Sequence, residues 1–324
     1  MKFPKEYFKK ECRCGFEVPE MMKRAWAAQI EVLEVIDGIC RKNAIQYFAD
    51  WGTLLGAVRH KGFIPWDDDI DICLKREEYN RLIQILPDEL PYGFVIAGMY
   101  ADSERLQQAA YVPQLRVIAD ETQWNFNSYM QRFHGFPYQR VGIDIFPLDD
   151  MPEDEEVAQM QRLMVRQGIL ILREWDNLEK TGELQKVLKE YEDFCKIPIP
   201  NGKDGKNKLW KLIDMISSLY NSSGAEKVTY YGTGVAIAEF KKIWYQEAVY
   251  MPFENIQIPV PCGYDDILKV QFGDYMIPQR VDGGHDYPFY ASMEEALKEQ
   301  IRAVGFSGSV EEFCEKVSEG KLYV

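Results

Sequence analysis

The chain has 324 residues, of which 46% are hydrophobic, and it carries a formal net charge of −14. This length and composition allow a large buried core, so we expect a globular protein with one elaborated domain or two smaller ones. The acidic balance excludes an extended nucleic-acid interface, because such an interface needs a basic face that neutralises phosphates.

Neither a membrane span nor a disulfide framework is expected from the sequence. No stretch approaches the roughly 18 consecutive apolar residues of a membrane helix, and the first residues lack the pattern of a secretory signal. The seven cysteines are odd in number and mostly scattered. Cys12 and Cys14 form a C-x-C pair without further ligands nearby, so we interpret them as free cysteines rather than a zinc site. We therefore expect a cytoplasmic protein.

Hydrophobic periodicity predicts a mixture of helices and strands. In chain order, the first predicted elements are a long amphipathic helix over 19–43, a strand over 46–49, a short helix over 54–60, a strand over 69–74 and a helix over 76–86 that Pro87 closes. The next are strands over 94–97, 112–118 and 142–146, long helices within 152–220, a hairpin of 249–251 with 255–258, and helices over 264–272, 292–304 and 309–317. Ser292 and Ser309 are the expected N-caps of the last two helices.

Two carboxylates, Asp69 and Asp71, stand two residues apart in the predicted strand 69–74. Side chains two apart on a strand point to the same face, so these carboxylates would project side by side while Ile70 and Ile72 enter the core. Exposure, a shared proton or a bound cation makes their mutual repulsion tolerable, and hard oxygen ligands suit Mg²⁺, which takes its other ligands from water and phosphates. The pattern therefore predicts metal-assisted phosphate chemistry.

Two other interpretations fit this acidic run less well. A solvated acidic loop at the edge of a strand would not need the apolar residues that interleave the carboxylates. Asp67, Asp69, Asp71 and Glu78 also match positions 1, 3, 5 and 12 of a calcium-binding helix-loop-helix loop. That loop needs glycine at its sixth position, which Ile72 occupies here.

A second acidic strand carries Asp144 in the same alternation of apolar and acidic residues. If this strand pairs beside the first one, Asp144 supplies a third carboxylate to the same place. From the pattern alone, the alternative is that Asp144 caps a turn or ends a strand.

These motifs resemble those of the LicD family, the phosphocholine-transferase relatives that include the fukutin-type proteins, within the nucleotidyltransferase-fold superfamily. The segments that carry the resemblance are the glycine turn after Asp50, the G-x-x-R segment 56–59, the I-P-W-D-x-D-x-D block 64–71, the second acidic strand 143–149, and the F-G-D-Y-M element 272–276. In the last of these, phenylalanine replaces the first tyrosine of the family's motif.

The resemblance implies an α+β fold, with a nucleotidyltransferase-like mixed β-sheet core that is flanked by helices and carries a helical insertion. We expect the catalytic core at 19–150, the helical insertion at 151–226, and a C-terminal segment at 227–324 that completes the core and the active site.

The resemblance also implies the reaction. Phosphocholine, or a similar phospho-substituent, would pass from a CDP-activated donor such as CDP-choline to a hydroxyl of a glycan or glycopolymer precursor, as in teichoic acid or lipopolysaccharide, with release of CMP. Asp67, Asp69, Asp71 and Asp144 would bind Mg²⁺, or Mn²⁺ instead, and the last three would be catalytic. Without a transmembrane segment, contact with a lipid-linked acceptor would be peripheral.

Other residues are candidates for binding the donor. Gly52 and Thr53 would contact phosphate, and Arg59 and Lys61 would clamp it, although surface charge is the alternative for Lys61. His285 would bind the donor or act as a base, unless it is merely solvated in its loop. An aromatic box for choline could draw its walls from several residues, among which the sequence does not choose: Trp51, Trp66, Trp124, Tyr129 and Tyr275.

Two alternative functions stay open. One is a nucleotidyltransferase or a CDP-alditol phosphotransferase of the same fold, which a screen of donors would distinguish. The other is a non-catalytic protein that binds nucleotides or glycans. The complete acidic set disfavours this second alternative, because carboxylates without metal and phosphate only repel one another.

Overall fold

The computed structural model describes residues 3–101, 114–138, 141–198, 205–231, 238–280 and 287–324. Outside the main sheet lie two antiparallel hairpins, β1 (Glu11–Arg13) with β2 (Phe16–Val18), and β10 (Ala248–Phe253) with β11 (Ile256–Pro261). The second of these confirms the hairpin that the sequence predicts over 249–258.

The main sheet is mixed and, in the part of the chain that the structure describes, has seven strands. They are β3 (Phe48–Ala49), β4 (Asp71–Lys75), β5 (Phe94–Gly98), β6 (Leu115–Ala119), β7 (Gly142–Asp150), β8 (Lys227–Thr229) and β9 (Phe240–Lys241). The order is β3-β4-β7-β6-β5, with β8 beside the end of β7 and β9 beside β8. Only the pair of β4 with β7 is parallel among these strands as described. The α+β fold with a mixed sheet is thus confirmed.

Some helices pack against the sheet, and others form a helical segment with its own hydrophobic cluster. They are α1 (Glu20–Lys42), α2 (Trp51–Leu55), α3 (Arg76–Glu89), α4 (Phe126–Arg132), α5 (Glu155–Thr181), α6 (Leu184–Cys195), α7 (Gly205–Ser217), α8 (Tyr264–Phe272), α9 (Glu294–Ala303) and α10 (Val310–Ser318). α1 packs on β6 and β7, and α3 packs on β4, β5 and β7. The apolar side chains of the central strands, such as Ile72 and Ile145, are fully buried in the same core, which leaves the alternate residues on the opposite face.

The helical segment α5 to α7 has a hydrophobic cluster of its own, which includes Val165, Tyr191 and Ile213. Asp154 caps the start of α5 by accepting the backbone N–H groups of Glu156 and Val157. Four residues separate the end of β7 from the start of this segment. It agrees with the helical character that the sequence predicts, whereas the proposed domain boundaries stay predictions.

Several predicted boundaries differ from those in the structure. α3 contains Pro87 in its last turn instead of ending before it, and this proline removes the backbone hydrogen bond that residue 87 would otherwise donate to the carbonyl of Ile83. The prediction that Ser292 caps a helix is wrong, since α9 begins at Glu294 without a side-chain cap. The prediction for Ser309 is confirmed, because Ser309 and Glu312 form a reciprocal capping box at α10.

All seven cysteines are free. Within the described ranges, none of the helices combines the length and the apolar character that crossing a membrane requires.

Candidate functional site

Asp71 and Asp144 stand opposite each other on two paired strands. Asp71 is the first residue of β4, Asp144 lies within β7, and the parallel register matches them directly. Paired residues of neighbouring strands share a face of the sheet, so both carboxylates leave the sheet on the face opposite Ile72 and Ile145. This pairing confirms the prediction that the second acidic strand lies beside the first, and Asp144 does not end its strand.

Asp69 precedes the strand instead of belonging to it, because β4 begins at Asp71. Asp67, Asp68 and Asp69 form an acidic loop in which one oxygen of each carboxylate lies within 4.8 Å of the others. Two side chains of α1 hold this loop by hydrogen bonds. Trp26 Nε1 donates to the carbonyl of Asp67 at 2.8 Å, and Gln29 Nε2 donates to the carbonyl of Asp68. The calcium-loop alternative fails, since a strand and α3 follow where that loop would continue.

Asp68 has a different role from its neighbours, which the sequence analysis missed. Its carboxylate is 1% exposed, and Oδ2 accepts the backbone N–H of Phe289 at 2.7 Å. Asp68 thus joins the acidic loop to the C-terminal part of the chain. The sequence shows three consecutive aspartates, but it does not indicate that Asp68 contacts Phe289, which is distant in the chain.

The glycine turn supports the carboxylates directly. A Cβ atom on Gly52 would lie 2.3 Å from Asp67 Oδ2, so only glycine leaves room for this carboxylate. Thr53 Oγ1 accepts the backbone N–H of Asp71 at 2.9 Å, and the Asp50 N–H donates to the carbonyl of Asp71 at 3.1 Å. The hydroxyl of Thr53 is therefore engaged with the backbone, and its predicted contact with phosphate stays a prediction.

The electrostatics of the cluster favour a bound cation. Burial, reinforced by the charge of Asp69, raises the pKa values of Asp67 and Asp71 well above the usual range of aspartate. Burial also raises the pKa of Asp144, although the nearby Arg116 opposes this shift. Arg116 forms an ion pair with Asp144, and Gln114 Nε2 donates to Asp144 Oδ2 at 3.1 Å. A divalent cation would lower all three pKa values by compensating the repulsion.

An open cleft lies in front of Asp67, Asp69 and Asp71. We call it the acidic cleft; its volume is about 500 Å³, and Gly52 and Arg59 also line it. Arg59 Nη1 donates to the carbonyl of Tyr275 at 2.5 Å, which ties the G-x-x-R segment to the F-G-D-Y-M element. The cleft therefore combines carboxylates, a glycine turn and a guanidinium.

Two further residues predicted from the sequence are Lys61 and His285. Lys61 is exposed, has a left-handed backbone with φ 58°, and is not part of the wall of the acidic cleft. His285 lies outside the described residues. Arg280, which the sequence analysis missed, does line the cleft, with its guanidinium 4.9 Å from the ring centre of Phe16.

The acidic cleft has aromatic walls. Of the five aromatic residues considered from the sequence, Trp51, Trp66 and Tyr275 line it, and Tyr287 joins them. The other two candidates are used for packing: Trp124 Nε1 donates to the Gly93 carbonyl, and the Tyr129 hydroxyl donates to that of Tyr138.

Comparison with known proteins agrees with this arrangement. Residues 44–169, which contain the acidic loop and both strands, match the family described as LicD/FKTN/FKRP, nucleotidyltransferase domain. The lipopolysaccharide cholinephosphotransferase LicD of Haemophilus influenzae is 26% identical over 260 residues, covering 76% of this chain and 88% of that protein.

Two shorter matches each cover 17% of the chain. An uncharacterized protein of Rickettsia prowazekii is 50% identical over 56 residues, 17% of this chain and 21% of that protein. The ribitol 5-phosphate transferase FKRP of Homo sapiens is 33% identical over 55 residues, 17% of this chain and 11% of that protein. Together with the acidic strands and the glycine turn, these matches support a LicD-type nucleotidyltransferase domain over residues 44–169.

Proposed function

We propose that the chain is a Mg²⁺-dependent transferase that moves phosphocholine, or a similar phospho-substituent, from a CDP-activated donor to a hydroxyl of a glycan or glycopolymer precursor. The single observation that carries this proposal is the pairing of Asp71 with Asp144 beside the acidic loop, at the edge of an open cleft. The similarity to the cholinephosphotransferase LicD supports phosphocholine as the transferred group.

The donor set fits a hard divalent cation. All the converging side chains offer carboxylate oxygens, which are the ligands that Mg²⁺ and Mn²⁺ prefer. One of these oxygens, Asp144 Oδ1, is buried and has the guanidinium of Arg116 as its ion-pair partner within the described residues. Asp67, Asp69, Asp71 and Asp144 would hold the ion, which when bound supplies positive charge next to the transferring phosphoryl group and the departing nucleotide.

The protein's own groups then have distinct tasks. The glycine turn admits the phosphates close to the backbone, and Arg59 and Arg280 offer guanidinium groups to phosphate oxygens from the cleft wall. Asp67 or Asp144, where it does not serve as a metal ligand, accepts the proton of the attacking hydroxyl, as the new oxygen–phosphorus bond forms and the bond to CMP breaks.

The aromatic walls of the acidic cleft suit a quaternary ammonium group. A choline head group is attracted by the faces of aromatic rings and by nearby carboxylates. Trp51, Trp66, Tyr275 and Tyr287 lie around the same cleft as Asp67 and Asp69. This combination supports choline over an uncharged alditol as the donor head group.

The test is a screen of donors with purified protein. CDP-choline, CDP-ribitol, CDP-glycerol and nucleoside triphosphates are offered with Mg²⁺, with and without a glycan acceptor, and release of CMP and pyrophosphate is followed. We expect CMP from CDP-choline and no pyrophosphate. Asp71→Asn should abolish CMP release, whereas Asp88→Asn, which changes an exposed aspartate of α3, should not. Pyrophosphate release, or equal CMP release by a folded Asp71→Asn variant, would refute the proposal.

A CDP-alditol phosphotransferase is the second candidate function. The match to the ribitol 5-phosphate transferase FKRP favours it, although this match covers only 17% of this chain. The same screen distinguishes the two candidates, because a preference for CDP-ribitol over CDP-choline would select this one.

A further inference from the structure

A second cavity, which we call the inner cavity, lies between the sheet and the helices α5 and α7. Its volume is about 490 Å³, and it is separate from the acidic cleft. Phe146 and Tyr230 line its sheet side, and Leu172, Arg173 and Trp210 line its helical side. Neither the sequence motifs nor the acidic cleft accounts for this space.

The register of the sheet places the inner cavity next to the carboxylates. Asp71, Asp144 and Arg116 are matched across β4, β7 and β6. Phe146 follows Asp144 by two residues on the same face of β7, which is a distance of roughly 7 Å along the strand. Gln114 lines the inner cavity and also donates to Asp144 Oδ2. The carboxylate row therefore lies between the two cavities.

Two aromatic side chains in contact with each other also stand between the two cavities. Tyr230 lines the inner cavity, Trp51 lines the acidic cleft, and their ring centres are 5.6 Å apart. A diphosphate above the carboxylate row could thus extend one end into each cavity.

The residues that line the inner cavity suit the base of a nucleotide donor better than its head group. Arg76, Arg173 and Lys206 line it together with Asp149 and Asp214, so cationic side chains outnumber the carboxylates by one, which disfavours a quaternary ammonium head group. Most of the other lining residues are apolar or aromatic, which suits a flat base better than a polyhydroxylated sugar. Arg76 is ion-paired with Asp149 and Asp214, and Lys206 with Asp176.

Arg173 differs from these two cations. It makes no hydrogen bond or ion pair with any residue that the structure describes, and its side chain is exposed at the edge of the cavity. Its guanidinium is therefore available to donate hydrogen bonds to the carbonyl and ring nitrogen of a base. The half-buried ring of Trp210 offers a face for stacking.

We propose that the inner cavity binds the nucleoside of the donor and of the released nucleotide, with its 5′-phosphate directed to the carboxylate row and the transferred head group in the acidic cleft. This inference rests on the proposed function, because it assigns a place to the nucleotide of that donor. It makes the helices α5 and α7 part of the nucleotide site.

The test measures binding of CMP to the full chain by calorimetry in Mg²⁺ buffer. Leu172→Trp fills the cavity with a larger side chain, and Arg173→Ala removes the free guanidinium. We expect CMP to bind at least about tenfold more weakly to the first variant and several-fold more weakly to the second, since tenfold is the usual scale of one good contact. Leu170→Trp and Arg166→Ala are matched controls at exposed positions of α5 and should keep the wild-type affinity.

The outcomes separate the two proposals. If Leu172→Trp and Arg173→Ala bind CMP as the wild type does, the inner cavity is not the nucleoside site, while the proposed function stands. If the wild type binds none of CMP, UMP, AMP and GMP, the nucleotide-donor function itself fails, and this inference fails with it. Because Arg173 is exposed, its alanine variant should fold even if Leu172→Trp does not.

Discussion

The hydroxyl of Thr53 accepts the backbone N–H of Asp71 over 2.9 Å, so the glycine turn and the first acidic strand form one unit. Thr53 is 3% exposed, and water cannot replace this acceptor when it is lost. Thr53→Val should therefore lower the free energy of unfolding by about 1–3 kcal/mol, which is the usual cost of a buried unsatisfied donor. Thr53→Ser keeps the hydroxyl and should cost less. Urea unfolding of the two variants measures the difference, and equal stabilities would exclude a role for this hydrogen bond.

Removal of metal provides a test of the carboxylate cluster. Mg²⁺ that binds only the folded state should raise the melting temperature, by the equivalent of about 2.7 kcal/mol at a hundredfold excess over its dissociation constant. EDTA should reverse the increase. Asp71→Asn should melt at a similar or higher temperature than the metal-free wild type, because it removes one repelling charge, and should not respond to Mg²⁺. A variant that still responds like the wild type would contradict the assignment of Asp71 as a ligand.

The contact between Asp68 and Phe289 should order the C-terminal part of the chain. Asp68→Ala removes the acceptor of the Phe289 N–H, whereas Asp68→Asn keeps an oxygen in its place. We expect faster hydrogen exchange around Phe289 and an increased KM for the donor in the alanine variant, because Tyr287 lines the acidic cleft close by. The asparagine variant should be close to the wild type. Identical exchange in both variants would rule out this role.

Arg76 joins the sheet to the helical segment. It makes a bidentate contact with Asp149 of β7 at 2.7 and 2.8 Å and a further bond to Asp214 of α7 at 2.9 Å. Arg76→Ala leaves these carboxylates without their partner, and we expect a loss of about 3–5 kcal/mol in the free energy of unfolding. The control Arg81→Ala changes a more exposed arginine of the same helix and should cost less than about 1 kcal/mol. Comparable losses in chemical denaturation would refute the distinction.

Glu31 predicts a pH dependence of stability. Burial raises its pKa, but His134, at 2.7 Å, and Arg132 outweigh this effect and lower the pKa from 4.5 to about 2. The folded state therefore favours the ionised form, and this stabilisation is complete above pH 4.5 and is lost as the pH falls towards 2. Glu31→Gln should cost about 3 kcal/mol at pH 7. The difference from the wild type should shrink below pH 4.5 in urea titrations, and a constant difference would contradict this explanation.

The sequence predicted those features that depend on local pattern. The helix over 264–272 has the same bounds in the structure, and the two acidic strands pair as the alternation of residues suggested. The contributions of Gln114, Arg116 and Asp68 were missed, since they depend on the neighbour of each strand and on a contact with Phe289, more than two hundred residues away. Such tertiary contacts leave no periodicity in the sequence. The placement of His285 lies outside the described residues and stays a prediction.

The acidic strand β7 is followed closely by the helix α5, and this connection affects how related proteins can change their choice of ligand. The strand that carries Asp144 ends at Asp150, and the helices that line the inner cavity start at Glu155. Replacement of side chains on those helices can therefore change the shape of the inner cavity without displacing the carboxylates of β4 and β7. An engineer who wishes to alter selectivity while keeping the reaction would begin with residues such as Leu172 and Trp210, and would leave the acidic strands untouched.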